Sequence, residues 1–211
     1  INDAPIANAA SGETDEDHSV SITLSGSDVD EDDLSFSLAS DASNGSVIID
    51  GVLATYVPDE DFNGLDSFTF TISDGELTDS QTVTITVHPV NDAPIAYDDE
   101  IVTDEDVSVT IDLIGSDIDN EDLVYLLDQD SADGFVDIAG SQATFTPDEN
   151  FNGTTIFTYL VTDGELTSTS ATVTIIVIPI NDAPIANAAS GETDEDQSVS
   201  ITLSGSDVDE D

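Results

Sequence analysis

Short runs in which apolar and polar residues alternate, separated by Gly, Pro, Asn and Asp, recur along the whole chain. Val20, Ile22 and Leu24 alternate with Ser21 and Thr23, and Val83, Ile85 and Val87 alternate with Thr84 and Thr86. A period of two puts every second side chain on one buried face, which is the pattern of a strand. No helix-period stretch competes with it. The first repeat carries seven such runs: Ile6 to Ala10, Val20 to Leu24, Leu34 to Leu38, Ser46 to Ile49, Ala54 to Val57, Ser67 to Ile72 and Thr82 to Val87. Asn44-Gly45 and Asp50-Gly51 supply turns on either side of the fourth. Seven short strands in about 90 residues predict an all-β, Greek-key sandwich of immunoglobulin-like type.

The pattern is itself repeated. NDAPIA begins at Asn2, Asn91 and Asn181. TDED recurs at Thr14 and Thr103, GSDVD and GSDID at Gly26 and Gly115, and PDEDFNG and PDENFNG at Pro58 and Pro147. The spacing predicts sandwiches over 1–90 and 91–180 and a truncated start of a third repeat over 181–211. Residues 180–211 duplicate 1–32 with one change, His18 to Gln197. Two strands cannot close a sandwich, so residues after about Ala186 are expected to be poorly ordered in isolation. The chain starts in mid-motif without Met, as a window cut from a larger protein would.

An odd number of antiparallel strands makes the chain enter a domain at one end and leave at the other. Repeats are therefore expected to stack end to end, each roughly 40 Å long. The same alternation assigns the acidic loops. The outgoing end of the first repeat receives Asp15, Glu16 and Asp17, then Asp59, Glu60 and Asp61, and the linker Asn91-Asp92. The incoming end of the second receives Asp117, Asp119, Glu121, Asp122 and Asp163.

Composition sharpens the picture. The chain holds 48 Asp and Glu and no Lys or Arg, for a formal charge of −48. No acid can be neutralised by a Lys or Arg side chain, and two His cannot balance 48 acids, so the counter-charge must come from outside. Phosphate backbones and anionic lipid headgroups are bound through Lys and Arg, which excludes nucleic acid and polybasic membrane contact as partners. No apolar run is long enough to insert into a bilayer. Carboxylates converging at the ends of the sandwiches would repel one another. A hard cation resolves that, and calcium takes six to eight oxygens from carboxylates, carbonyls and Asn amides, the donors present in these loops. Zinc or copper would want several His or Cys; the loops have no Cys and, in His18, a single His.

The Glu of TDED, the acids after Pro58, Asn-Asp before a Pro, Asp-x-Asp in GSDVD and Asp-Gly in SDGEL are similar to the interdomain calcium motifs of cadherins. Together with PDEDFNG and NDAP, they resemble the cadherin-like tandem repeats of giant bacterial surface and biofilm adhesins, over the whole chain. The resemblance implies a calcium junction built from Glu16, Asp59, Asp61, Asn91, Asp92, Asp117, Asp119 and Asp163. It implies a second from Glu105, Asp148, Asn150, Asn181, Asp182, Asp207 and Asp209, and a half-site from Asn2, Asp3, Asp28, Asp30 and Asp74. Asn150 departs from the pattern by standing where an acid is expected, and the linker lacks the leading Asp and second Asn of the animal motif.

The expected function is that of a non-catalytic extracellular stalk at the cell surface, stiffened by calcium between neighbouring repeats of the same chain. Two other readings stay open: a calcium-dependent carbohydrate-binding or homophilic module, and a subunit of a self-assembling filament. The bland alternative for the acids is a solvated, salt-tolerant surface. Asn63-Gly64 and Asn152-Gly153 read as left-handed turns and not as ligands. Phe68, Phe70, Phe157 and Tyr159 read as core and sheet-face residues. Nucleophilic catalysis needs a positioned base. His18 corresponds to Val107 and Gln197, and His88 to Ile178, so neither histidine has a role common to the repeats.

Overall fold

The computed structural model describes residues 1–209, which are strand, turn and loop throughout. The chain divides into two compact units, Ile1–Asn91 and Asp92–Asp211. It is an all-β protein with two tandem sandwiches of immunoglobulin and cadherin type.

The first unit contains β1 (Ile6–Ala7), β2 (Ala10–Asp15), β3 (Val20–Thr23), β4 (Gly26–Ser27), β5 (Ser35–Ser40), β6 (Gly45–Asp50), β7 (Leu53–Pro58), β8 (Gly64–Ser73) and β9 (Thr78–His88). One sheet has the order β2-β9-β8-β5, the facing sheet β3-β7-β6, and β1 pairs with β4. The single first run expected over Ile6 to Ala10 is in fact split. Its start pairs antiparallel with β4, and the chain then crosses to the other sheet, where β2 runs parallel to β9. That parallel pairing follows from the odd count, because first and last passes run the same way. β2 escapes an alternation search because ASGETD contains no large apolar residue. A register shift between Leu38 and Ser40 marks a bulge where β5 leaves β8.

Between the sheets lie Ile22, Leu24, Tyr56, Phe68, Phe70, Ile72, Val83, Ile85 and Val87. Burying each such side chain contributes about 1.5–3 kcal/mol, which is how a domain without disulfides is held. Gly45 is required by close approach: a Cβ there would lie 2.5 Å from the Val57 carbonyl oxygen and 2.6 Å from the Tyr56 ring.

The second unit repeats the plan with β10 (Ile95–Ala96), β11 (Asp99–Asp104), β12 (Val109–Asp112), β13 (Gly115–Ser116), β14 (Val124–Gln129), β15 (Gly134–Ala139), β16 (Gln142–Pro147), β17 (Gly153–Thr162) and β18 (Ala171–Ile178). Its sheets are β11-β18-β17-β14 and β12-β16-β15. Phe157 and Tyr159 lie in its core.

Buried polar groups differ between the repeats in a compensated way. In the first, Asp66 is buried on β8. Its Oδ1 accepts from Ser43 N at 3.1 Å and Ser67 N at 2.8 Å, and its Oδ2 from Asn44 N at 2.9 Å and the Tyr56 hydroxyl at 3.0 Å. In the second, Phe145 and Thr155 stand at the matching positions, and Thr155 Oγ1 lies 2.8 Å from Ser131 Oγ. The phenol moves instead to Tyr159, whose hydroxyl lies 2.6 Å from the Tyr97 carbonyl oxygen.

Beyond β18, β19 (Ile185–Ala186) pairs with β20 (Gly205–Ser206), reproducing the β1–β4 contact. The intervening residues 187–204 form no strand. Leu203 is 82% exposed, whereas Leu24, its counterpart, is 1% exposed under a complete sandwich. Residues 210 and 211, the last of the expected third repeat, lie outside the described residues.

Candidate metal centres

At the outgoing end of the first unit the turn after β2 is closed by Glu16 N donating to His88 O at 2.9 Å. This buries Glu16 to 2% exposure. Its Oε1 accepts from Val90 N at 2.5 Å and its Oε2 from Asn63 Nδ2 at 3.2 Å. Asp61, in the left-handed region with φ of 57°, donates its N–H to Asp17 Oδ1 at 3.2 Å. Asp59 anchors that loop, its N–H donating to Asn44 O at 2.9 Å and its carbonyl accepting from Phe62 N at 3.2 Å. The loops carrying Glu16, Asp59 and Asp61 are thereby drawn together, and Asn91 closes the unit.

At the incoming end of the same unit, Asn2 Nδ2 donates to Asp74 Oδ2 at 2.9 Å, and Asp3 N donates to Asp30 Oδ2 at 2.8 Å. Asp28 Oδ1 accepts from Asp30 N at 2.8 Å. Asp28, Asp30 and Asp32 each bring one carboxylate oxygen within 4.8 Å of the others. Oδ2 of Asp28 is buried with no hydrogen-bond partner. Asp74 is held below the usual carboxylate range by the backbone N–H groups of Leu77 and Glu76 and by Asn2.

The second unit starts the same way. Asp92 N donates to Asp119 Oδ2 at 2.8 Å, Asp119 N donates to Asp117 Oδ1 at 2.8 Å, and Asp117 Oδ2 is buried without a partner. Asp163 Oδ1 accepts from Glu165 N and Leu166 N, both at 2.7 Å.

Its far end draws acids from three segments of the chain. Glu105 is 4% exposed, with Oε1 accepting from Ile180 N at 2.5 Å and Oε2 from Asn152 Nδ2 at 3.4 Å. Asp182 N donates to Asp209 Oδ2 at 2.5 Å, and Asp209 N to Asp207 Oδ1 at 3.0 Å. Glu105, Asp182 and Asp209 each place a carboxylate oxygen within 4.8 Å of the other two. Asp148 and Asp207 do not belong to that group of three, and Asn150 contributes its backbone N–H to Asp106 Oδ1 at 3.0 Å. Asn181 Nδ2 turns onto the Asp182 carbonyl at 2.8 Å.

Electrostatics at this cluster is unfavourable as it stands. Desolvation, then the charges of Asp209, Glu105, Asp106 and Asp207, push the Asp182 carboxyl above its ordinary range. Its Oδ2 is buried and has no hydrogen-bond partner. The chain offers it no Lys or Arg. An oxygen-only set of three carboxylates around an unsatisfied oxygen suits a hard divalent cation such as calcium, and is the wrong chemistry for a thiolate- or imidazole-seeking metal.

Asp17 and Asp106 were not among the expected ligands, yet each fixes the loop opposite it. The signal in the sequence was their shared place as the last residue of TDED; in the fold both have positive φ, 60° and 59°. Asp32, outside the ligand set that the resemblance implies, stands in the Asp28 group.

A family profile described as Bacterial Ig domain matches residues 2–86 and again 91–176. The chain belongs to that family. Bacterial Ig domains are typically non-catalytic and usually occur in surface or secreted proteins. No curated protein matches the chain. Among solved structures, the chain is similar to the first two extracellular cadherin domains of human protocadherin-24. That match has 14% identity and a TM-score of 0.59, and covers 83% of this chain and 99% of that one. Drosophila N-cadherin domains 1–4 match at 19% identity and a TM-score of 0.56, covering 83% of this chain and 50% of that one. An endo-fucoidan hydrolase of glycoside hydrolase family 107 matches at 18% identity and a TM-score of only 0.38; the chain spans 29% of its length. At such identities the cadherin likeness shows the fold alone.

Proposed function

We propose that this chain is a non-catalytic spacer segment of an extracellular adhesive stalk, in which calcium joins the outgoing end of each repeat to the linker and first loops of the next. The observation that carries this reading is the cluster of Glu105, Asp182 and Asp209, with a buried Asp182 oxygen that no donor satisfies. Those residues come from the turn after β11, the linker and the start of the third repeat, three of the places where the resemblance to cadherin-like adhesins puts its ligands; the loop of Asp148 and Asn150 is a fourth. Glu105, Asp182 and Asp209 would hold the ion, and the ion would supply the positive charge that lets these segments sit together.

Extracellular calcium modules bind at about 10⁻⁴–10⁻³ M, so such sites fill outside the cell and stay empty in a low-calcium cytoplasm. Tyr56, Phe68, Phe70, Phe145, Phe157 and Tyr159 are buried in the two cores, which leaves Tyr97 and Phe135 as the exposed aromatic rings among the described residues. The surface hollow formed by Asp98, Asp99, Glu100, Thr172 and Thr174 contains no aromatic platform. Small-angle scattering of the 211-residue protein, in calcium and after chelation, tests the proposal. The expected result is a larger and more sharply defined maximum dimension in calcium; identical curves at matched ionic strength would count against it.

A further inference from the structure

The Asn-Gly pair after each β7-type strand does more than turn the chain. We infer that Asn63 and Asn152 are positioning residues for calcium, each orienting the buried glutamate that faces the ion; this rests on the function proposed above.

The geometry recurs in two separate units. Glu16 and Glu105 are 2% and 4% exposed, and each carboxylate is held by two neutral donors. A linker amide, Val90 N or Ile180 N, donates to Oε1 at 2.5 Å in both units. An asparagine, Asn63 or Asn152, donates to Oε2 at 3.2 or 3.4 Å. Turning the amide over would set its oxygen against the carboxylate oxygen, so the glutamate dictates which way the amide faces.

The flanking residues explain why the asparagine can reach. Phe62 and Phe151 pack partly buried against the two cores and pin the loop from one side. Gly64 and Gly153, with φ of 123° and 131°, adopt a conformation that L side chains rarely take and turn the chain sharply on the other side. The residue between the anchor and the turn is left directed at the glutamate. A left-handed turn alone would need only the glycine.

Two donors fix the plane of the carboxylate while leaving lone pairs for a cation, since an ionised carboxylate has about four acceptor sites. Outer partners that orient a ligand in this way typically alter metal affinity by about 10–100-fold. A carboxylate freed from its amide can rotate away from the ion and admit water.

The test uses Asn152→Ala and Asn152→Leu in the 211-residue protein, the second keeping the side chain's shape without its donor; Asn63→Ala repeats it in the first unit. Calcium titration is followed at the Ile180 and Asp182 amides by nuclear magnetic resonance, and the melting temperature is measured separately in chelator. The expected result is about a tenfold or greater rise in the calcium dissociation constant at that site, with a metal-free melting temperature close to the parent's. Terbium bound in place of calcium should show a shortened luminescence lifetime as water enters its coordination shell. If the parent binds calcium and the variants bind it equally well, the asparagine is only a turn residue, whether or not melting changes. If the parent itself takes no calcium, the junction and the positioning role fall together.

Discussion

Chelating calcium should lower the melting temperature of the 211-residue protein by about 10–20 °C per occupied site that holds a melting unit together. An ion bound only by the folded chain stabilises it by RT ln(1 + [L]/Kd), about 2.7 kcal/mol when calcium is in hundredfold excess over Kd. For a Kd of about 10⁻⁴ M that condition is met near 10 mM calcium. One kcal/mol moves the midpoint of a 60–100-residue domain by roughly 4–8 °C. The control that matters is sodium chloride at equal ionic strength, because a chain of charge −48 is also stabilised by general screening. Calorimetry showing the same shift in sodium as in calcium would mean that screening, and not ligation, supplies the effect. Glu105→Gln should remove the calcium-specific part at the second site while leaving the response to sodium.

The second large effect involves no metal. Replacing Asp66 by Asn should cost the first sandwich about 2–3 kcal/mol, because every position around the carboxylate is a donor. Ser43 N and Ser67 N face one oxygen, and Asn44 N and the Tyr56 hydroxyl face the other, so either orientation of an amide points its NH₂ at one or more backbone N–H groups. Thr155→Val, at the matching place in the second repeat, should cost less, since one neutral bond to Ser131 is lost. Hydrogen exchange along β8 and β17 separates the two units in one experiment.

The Asp66 effect should also depend on pH with a defined sign. Burial alone would raise the Asp66 carboxyl, but the N–H groups of Asn44, Ser67 and Ser43 and the Tyr56 hydroxyl outweigh it and hold it below the ordinary value. A folded-state pKa below the unfolded one contributes stability at neutral pH, and that contribution is lost as pH falls from the ordinary carboxylate range through the depressed value. The gap between the parent and Asp66→Asn should therefore be widest near pH 7 and narrow on acidification.

Most of the fold was legible because the strands that form the core announce themselves. Phe68, Phe70 and Ile72 alternate with Thr69 and Thr71, and a register slip of one residue would turn all three out to water. β2 was missed because it is an edge strand held by its parallel ladder to β9, with Gly12 at its centre and no large apolar side chain to give it a period. The acidic loops were legible by residue type and repeat spacing, since topology alone fixes which turns share an end. What the sequence could not carry was the division of labour inside each loop. Glu16 is buried and its neighbour Asp17 is exposed, a difference set by Glu16 N reaching His88 O, more than seventy residues away. Asn63 looked like a turn residue because its target, Glu16, lies 47 residues earlier in the chain. The exchange of Tyr56 and Asp66 for Phe145 and Thr155 likewise becomes meaningful only when β7 and β8 are seen across the interior from one another.

The claim on which the rest depends is that the oxygens of Glu105, Asp182 and Asp209 surround calcium. Crystals grown in about 10 mM calcium and measured at a long wavelength, where calcium scatters anomalously, address it directly. An anomalous peak is expected among those three carboxylates, with oxygens at about 2.3–2.6 Å and the Asp182 oxygen that lacks a donor among them. Density without anomalous signal, at the roughly 2.7–3.0 Å spacing of hydrogen-bonded water, would contradict it.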